Sequence, residues 1–132
     1  MANQTPALTA PVVIIVDDDP AVRASLKFAL EIEGFTVHVH GRDDELFADA
    51  ALAVCACFVI DHNLPGVRGL DLVTALRQRS VVAPAILITT APPKVLRERA
   101  AHAGIPIVEK PLLGNALIEC IRAVTAQTPS TH

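Results

Sequence analysis

The sequence predicts an α/β domain built on a doubly wound, five-stranded parallel sheet with five helices on both faces. Three observations predict it. Apolar runs alternate with helix-like segments in strict βα order. The runs are short and apolar throughout, as strands covered on both faces must be. Each of four of them stops at an acid, a hydroxyl or a lysine, which is where ligands bind outside the carboxyl ends of such strands.

The elements follow in order. Met1 to Pro11 is polar and carries Pro6 and Pro11, so residues 1–10 are expected to be a flexible arm before a domain spanning 11–126. Strand 1 is Val12–Val16, ending at Asp17-Asp18-Asp19. Asp19 before Pro20 is a helix start, an acid at the N-cap and proline at the first helical position. Val22, Leu26, Ala29 and Leu30 then repeat at three-and-four spacing, and Gly34 supplies the stop. Phe35–His40 alternates as strand 2, and a short helix lies within Gly41–Ala51 with Leu46 and Phe47 buried.

Strand 3 is expected at Cys55–Ile60, ending at Asp61, with Asn63-Leu64-Pro65-Gly66 as a turn. Helix 3 runs from about Gly69 to Arg79, carrying Leu70, Val73, Leu76 and Arg77 in register. Strand 4 is Ala85–Thr89, Pro92-Pro93 opens a helix that ends at Gly104, and strand 5 is Ile105–Glu109 before Lys110. Helix 5 is expected at about Leu113–Thr125, and 127–132 as a flexible tail.

Composition narrows the function. The 132 residues are 52% hydrophobic and 19% charged, which suits one globular domain and excludes a disordered chain. Net charge is −3, there is no Trp or Tyr, and no basic cluster exceeds Arg97-Glu98-Arg99. A nucleic-acid surface needs a basic stripe or an aromatic platform, so no nucleic-acid partner is expected. No apolar run approaches a membrane span, and the N-terminus lacks the basic start and apolar core of a signal peptide. A cytoplasmic chain without membrane contact is the expectation. Cys55, Cys57 and Cys120 form no C-x-x-C pair, and Cys55 and Cys57, two apart on the expected strand 3, should face the same side as buried small hydrophobes. His38 and His40 alternate on strand 2 and read as packing residues on one face.

In the order 2-1-3-4-5, one of the common arrangements of doubly wound sheets and the one expected here, strands 1 and 3 lie side by side, so Asp17, Asp18 and Asp61 should converge. Gathered carboxylates repel one another and call for a cation. Oxygen ligands on a wet rim suit Mg²⁺, and Mn²⁺ would also fit. Beside such an ion a carboxylate such as Asp61 can attack a phosphoryl group, Lys110 can neutralise the developing charge, and Thr89 can donate its hydroxyl.

The chain resembles the response-regulator receiver domain of two-component signalling, a flavodoxin-like fold, over about Pro11–Ala126. The resemblance is carried by Val16-Asp17-Asp18-Asp19-Pro20-Ala21-Val22-Arg23, Asp61-His62-Asn63-Leu64-Pro65-Gly66-Val67-Arg68-Gly69, Ile88-Thr89-Thr90 and Glu109-Lys110-Pro111. It implies that Asp61 is the phosphoacceptor, that Asp18 and the Asn63 main-chain carbonyl ligate Mg²⁺ with Asp61, and that Asp17 acts through water. It implies Thr89 and Lys110 as the phosphoryl-contacting switch residues, Thr90 and Pro111 as their neighbours, and a cis Lys110–Pro111 bond. A stand-alone receiver would take phosphate from a histidine kinase or phosphotransfer protein and pass the signal to a downstream protein or a homodimer through its helix 4/strand 5/helix 5 face. It would be a signalling protein and not an enzyme. Two departures stand out: Thr90 replaces the usual small residue after the switch hydroxyl, and Ile107 replaces the usual aromatic. They favour the alternative of a degenerate receiver that binds partners without phosphorylation. A phosphatase with an aspartyl nucleophile fits less well, because only the carboxylates of its strand 1 motif are matched and a cap domain has no room.

Overall fold

The computed structural model describes residues 10–112 and 114–126. The central sheet is parallel, with strands β1 (Val12–Val16), β2 (Thr36–His40), β3 (Cys57–Asp61), β4 (Ala85–Thr89) and β5 (Ile107–Glu109) in the order β2-β1-β3-β4-β5. Helices α1 (Pro20–Ile32), α2 (Asp43–Phe47), α3 (Gly69–Gln78), α4 (Lys94–His102) and α5 (Ala116–Ala126) connect or follow them. The predicted doubly wound α/β class and strand order are those observed. The expected arm (Ala10 apart) and tail lie outside the described residues.

Side-chain alternation divides the core in two. Ile14, Val16, Phe58, Ile60 and Leu87 point to a layer closed by Leu46 of α2, Leu70, Leu72, Val73 and Leu76 of α3, and Leu96 and Ala100 of α4. Val13, Ile15, Val59, Ile86 and Ile88 point the other way, against Leu26 and Leu30 of α1 and Leu117 and Ile121 of α5. The two layers are the physical reason that the strands read as unbroken apolar runs.

Local chemistry sets the helix ends. The Asp19 side chain accepts the Ala21 N–H at 2.9 Å, with Pro20 at the first helical position, as the sequence requires. Gly34 stops α1 in the left-handed region at φ 99°, where a Cβ is costly.

Several expectations need correction. Strand 3 begins at Cys57 and not at Cys55, because a bend at Ala56 interrupts it. The same bend breaks the two-residue period: Cys55 joins the α2–α4 layer and Cys57 the α1–α5 layer, so they face opposite sides. Burial pushes both thiols up, Cys55 to about 11 and Cys57 to about 12, consistent with inert core residues. Strand 5 spans only Ile107–Glu109, and α5 starts at Ala116. The turn after Asp61 is a small antiparallel ribbon, Asn63–Leu64 against Val67–Arg68, with Gly66 at φ 81°. Leu46 is fully buried, whereas Phe47 is half-buried under the Arg79 guanidinium, 3.9 Å from the ring centroid.

Candidate functional site: an acid pocket at the strand ends

Sheet register assembles the site. Val16 pairs with Ile60 and Asp61 with Ile88, so the residue after β1, the last residue of β3 and the end of β4 sit side by side. The Asp17 N–H donates to the His40 carbonyl at 3.0 Å, extending β1 by one residue into the rim. Lys110 follows β5 and donates its N–H to the Thr89 carbonyl at 2.8 Å. The peptide between Lys110 and Pro111 is cis.

Asp17, Asp18 and Asp61 each offer a carboxylate oxygen within 4.8 Å of the others, Asp17 and Asp61 buried and Asp18 exposed. The Lys110 ammonium lies 3.0 Å from Asp17 Oδ2 and 3.2 Å from Asp61 Oδ2. Asp17 Oδ1 accepts the Asp19 N–H at 2.9 Å, and Asp61 Oδ1 the Asn63 N–H at 3.1 Å. Burial pushes the Asp17 carboxyl up, against the bonds from the Asp19 amide and Lys110; the nearby Asp61 charge adds to the rise. Burial opposes the charge on Lys110 too, but its bond to Asp17 and the charges of Asp17 and Asp61 prevail and raise its pKa.

A divalent cation fits these residues. Asp17 Oδ2 is a buried oxygen that touches Lys110 yet accepts no hydrogen bond of good geometry. One ammonium also faces three gathered carboxylates, and an all-oxygen donor set suits a hard ion.

Thr89 is buried, and its Oγ1 accepts from the Asn63 side-chain amide at 3.3 Å. Thr90 and Pro111 are exposed beside it. The sequence-predicted residues Asp17, Asp18, Asp61, Asn63, Thr89 and Lys110 are therefore all brought to one rim.

Three further residues, all inside the motifs that carry the resemblance, shape the rim through contacts that were not legible beforehand. The Arg23 guanidinium donates to the Asp17 carbonyl at 2.8 Å and ties α1 to the acid turn. His62 is buried, and its Nδ1 accepts the Leu70 N–H at 3.3 Å. It thereby serves an end of α3 where the N-cap, Arg68, provides no side-chain bond. Burial and then the Arg68 charge push the His62 pKa down, which keeps the imidazole a neutral acceptor. Gly69 packs on the main chain of the acid itself: a Cβ there would stand 2.6 Å from the Asp61 carbonyl oxygen and 2.7 Å from His62 Cα. Glycine three residues after Pro65-Gly66 was the one available signal for that contact.

Residues 13–122 match the family described as the response regulator receiver domain. Among curated proteins, nodulation protein W of Bradyrhizobium diazoefficiens is 31% identical over 93% of this chain and 55% of its own length. Transcriptional regulatory protein FixJ of Azorhizobium caulinodans is 35% identical over 83% of this chain and 52% of its own. The chain thus spans about half the length of the curated relatives it matches. Among solved structures, the Vibrio cholerae chemotaxis protein CheY4 superposes with a TM-score of 0.80 at 24% identity, over 88% of this chain and 99% of that one. The response regulator StyR gives 0.78 at 30% identity, over 89% of this chain and 60% of that one.

Proposed function

The chain belongs to the response regulator receiver domain family, and from that premise we propose that it accepts a phosphoryl group on Asp61 from a histidine kinase or a phosphotransfer protein. The receiver unit is proposed to span 11–126. The observation that carries the reading is the Lys110 ammonium shared between Asp17 and Asp61, with Asp18 beside them.

Asp61 Oδ attacks phosphorus as the bond from phosphorus to the donor nitrogen breaks, and the leaving imidazole takes up a proton. The attacking carboxylate is preset by the Asn63 N–H on one oxygen and Lys110 on the other. Mg²⁺ would be held by Asp18, Asp61 and the Asn63 carbonyl, with Asp17 through water, and would supply charge neutralisation at the phosphoryl oxygens. Lys110 then has a phosphoryl oxygen to pair with, and the Thr89 hydroxyl exchanges its bond with Asn63 for one to phosphate.

The readout is proposed to run through the main chain around Thr89. That residue pairs with Glu109 across β4 and β5, and Glu109 is ion-paired to Arg97 of α4. The α4/β5/α5 face is the surface a downstream protein or a second copy would meet. The half-buried Ile107 has no polar tip to swing outward.

The test is acetyl phosphate with Mg²⁺, read by intact mass. One added phosphoryl group is expected in the natural chain and none in Asp61→Asn, whose fold should persist because a crowded negative charge is removed. A full mass shift in Asp61→Asn would move the acceptor elsewhere.

A further inference from the structure

The three acids of the pocket are not held alike. Asp17 accepts the Asp19 N–H and meets Lys110, and Asp61 accepts the Asn63 N–H and meets Lys110. The Asp18 side chain is exposed and, among the described residues, has no hydrogen bond or ion pair. Its main chain, at a bend between β1 and α1, then decides where that carboxylate can reach. Mg²⁺ tolerates little departure from octahedral geometry, so the placement of this ligand matters.

Arg23 bears on that main chain. From the first turn of α1 its half-buried guanidinium donates to the Asp17 carbonyl at 2.8 Å. The Asp17 N–H donates to the His40 carbonyl at 3.0 Å, so the residue before Asp18 is fastened at both polar main-chain atoms. A peptide unit is planar and rigid, so fixing the Asp17 carbonyl also fixes the amide of Asp18 and the position of its Cα. The guanidinium has a built seat. Gly41 follows His40, and a Cβ there would stand 2.9 Å from one terminal nitrogen of Arg23, 3.5 Å from its Cζ and 3.9 Å from the other nitrogen. Gly41 has no positive φ that would require glycine, so it is the missing side chain that makes room. The Gly41 N–H donates to Glu45 Oε1 at 2.8 Å, which holds this turn in place. Among the described residues Arg23 pairs with no carboxylate, although three acids precede α1. Its charge is directed to a neutral carbonyl, a contact that orients.

We propose, on the premise that the chain is a Mg²⁺-dependent phosphoacceptor, that Arg23 is a positioning residue for that reaction. Seated on Gly41, it fixes the Asp17–Asp18 peptide and so aims Asp18 at the ion. Charge and position act in opposite directions here, which separates the two roles. A fixed cation beside a cation site opposes the binding of Mg²⁺, so by charge alone the loss of Arg23 tightens binding. By position, its loss frees the acid turn and weakens binding.

Mg²⁺ titrated into the full chain and followed by amide chemical shifts tests this, with circular dichroism to confirm that each variant folds. Arg23→Met, which removes charge and donors at similar length, should weaken Mg²⁺ binding by about tenfold, the usual scale for losing a group that orients a metal ligand. Arg23→Lys keeps the charge and a donor for the carbonyl and should recover most of that loss. Without Mg²⁺, amide exchange at 17–19 should be faster in Arg23→Met than in the natural chain. Labelling by acetyl phosphate should slow in Arg23→Met at low Mg²⁺ and return toward the natural rate at saturating Mg²⁺. Gly41→Ala should weaken Mg²⁺ binding in the natural chain and add nothing in Arg23→Met. Unchanged or tighter binding in Arg23→Met overturns the proposal. So does a labelling deficit that saturating Mg²⁺ does not reduce, or an equal effect of Gly41→Ala in the two backgrounds, nil included. A natural chain that binds Mg²⁺ and shows these differences, yet takes no phosphoryl group, would refute the phosphoacceptor assignment and leave the role of Arg23 standing.

Discussion

Gly69→Ala should destabilise the protein although alanine is the better helix former. The added methyl would stand 2.6 Å from the Asp61 carbonyl oxygen, 2.7 Å from His62 Cα and 3.0 Å from the Asp61 carbonyl carbon. All three are main-chain atoms, so no flexible side chain can swing away. Forcing such a contact costs about 1–3 kcal/mol. Replacing glycine returns up to about 1 kcal/mol of helix propensity, and less here because Gly69 opens α3. The net loss is then roughly 1–2 kcal/mol, or a melting temperature lower by about 3–10 °C for a domain of this size. Urea unfolding should show a lower midpoint with an unchanged slope. Because the strain falls on the Asp61 main chain, the initial rate of labelling by acetyl phosphate should drop as well, even where the variant is fully folded. An unchanged or higher midpoint would refute the argument, since it would mean α3 moves off the acid at no cost. Loss of stability with labelling intact would show that the strain relaxes away from Asp61.

Four further outcomes follow from the site and its surroundings. Mg²⁺ should raise the melting temperature, by mass action worth roughly 1.4 kcal/mol at ten times its dissociation constant; in Asp18→Ala the gain should vanish, and an unchanged natural-chain curve at millimolar Mg²⁺ would count against a metal-dependent receiver. Ile107→Ala should cost about 1–2 kcal/mol through lost burial of a half-buried side chain, with phosphoryl transfer unaffected. Amide exchange with and without beryllofluoride should then show protection changes within 89–110, and changes confined to α1 and α2 would contradict that readout. His62 has a folded pKa below its unfolded 6.5. Its contribution is present above about pH 6.5 and is lost as pH falls through the folded value, because the unfolded chain binds a proton that the native state refuses. The stability of the natural chain relative to His62→Gln should therefore shrink as pH falls below about 6.5, and a gap that widens with acid would refute the assignment.

The sequence by itself determined whatever depends on near neighbours. The βα alternation, the exact span of Val12–Val16, the Asp19 cap and the stop at Gly34 all rest on groups a few residues apart. The acid pocket was legible too, since a parallel sheet sends every strand's carboxyl end to one rim whatever the details of packing. Only the tertiary structure decided contacts whose partners are distant or whose register a bend can shift. A single bend at Ala56 turned Cys55 and Cys57 to opposite layers, because a period of two survives no interruption. The Leu70 N–H found its acceptor in His62 across a ribbon that reads in sequence as a turn. His38 and His40 were visible as a pair, but their partner was not: Asp49 is brought to them by the fold of α2 against the edge strand, a placement that no local spacing encodes.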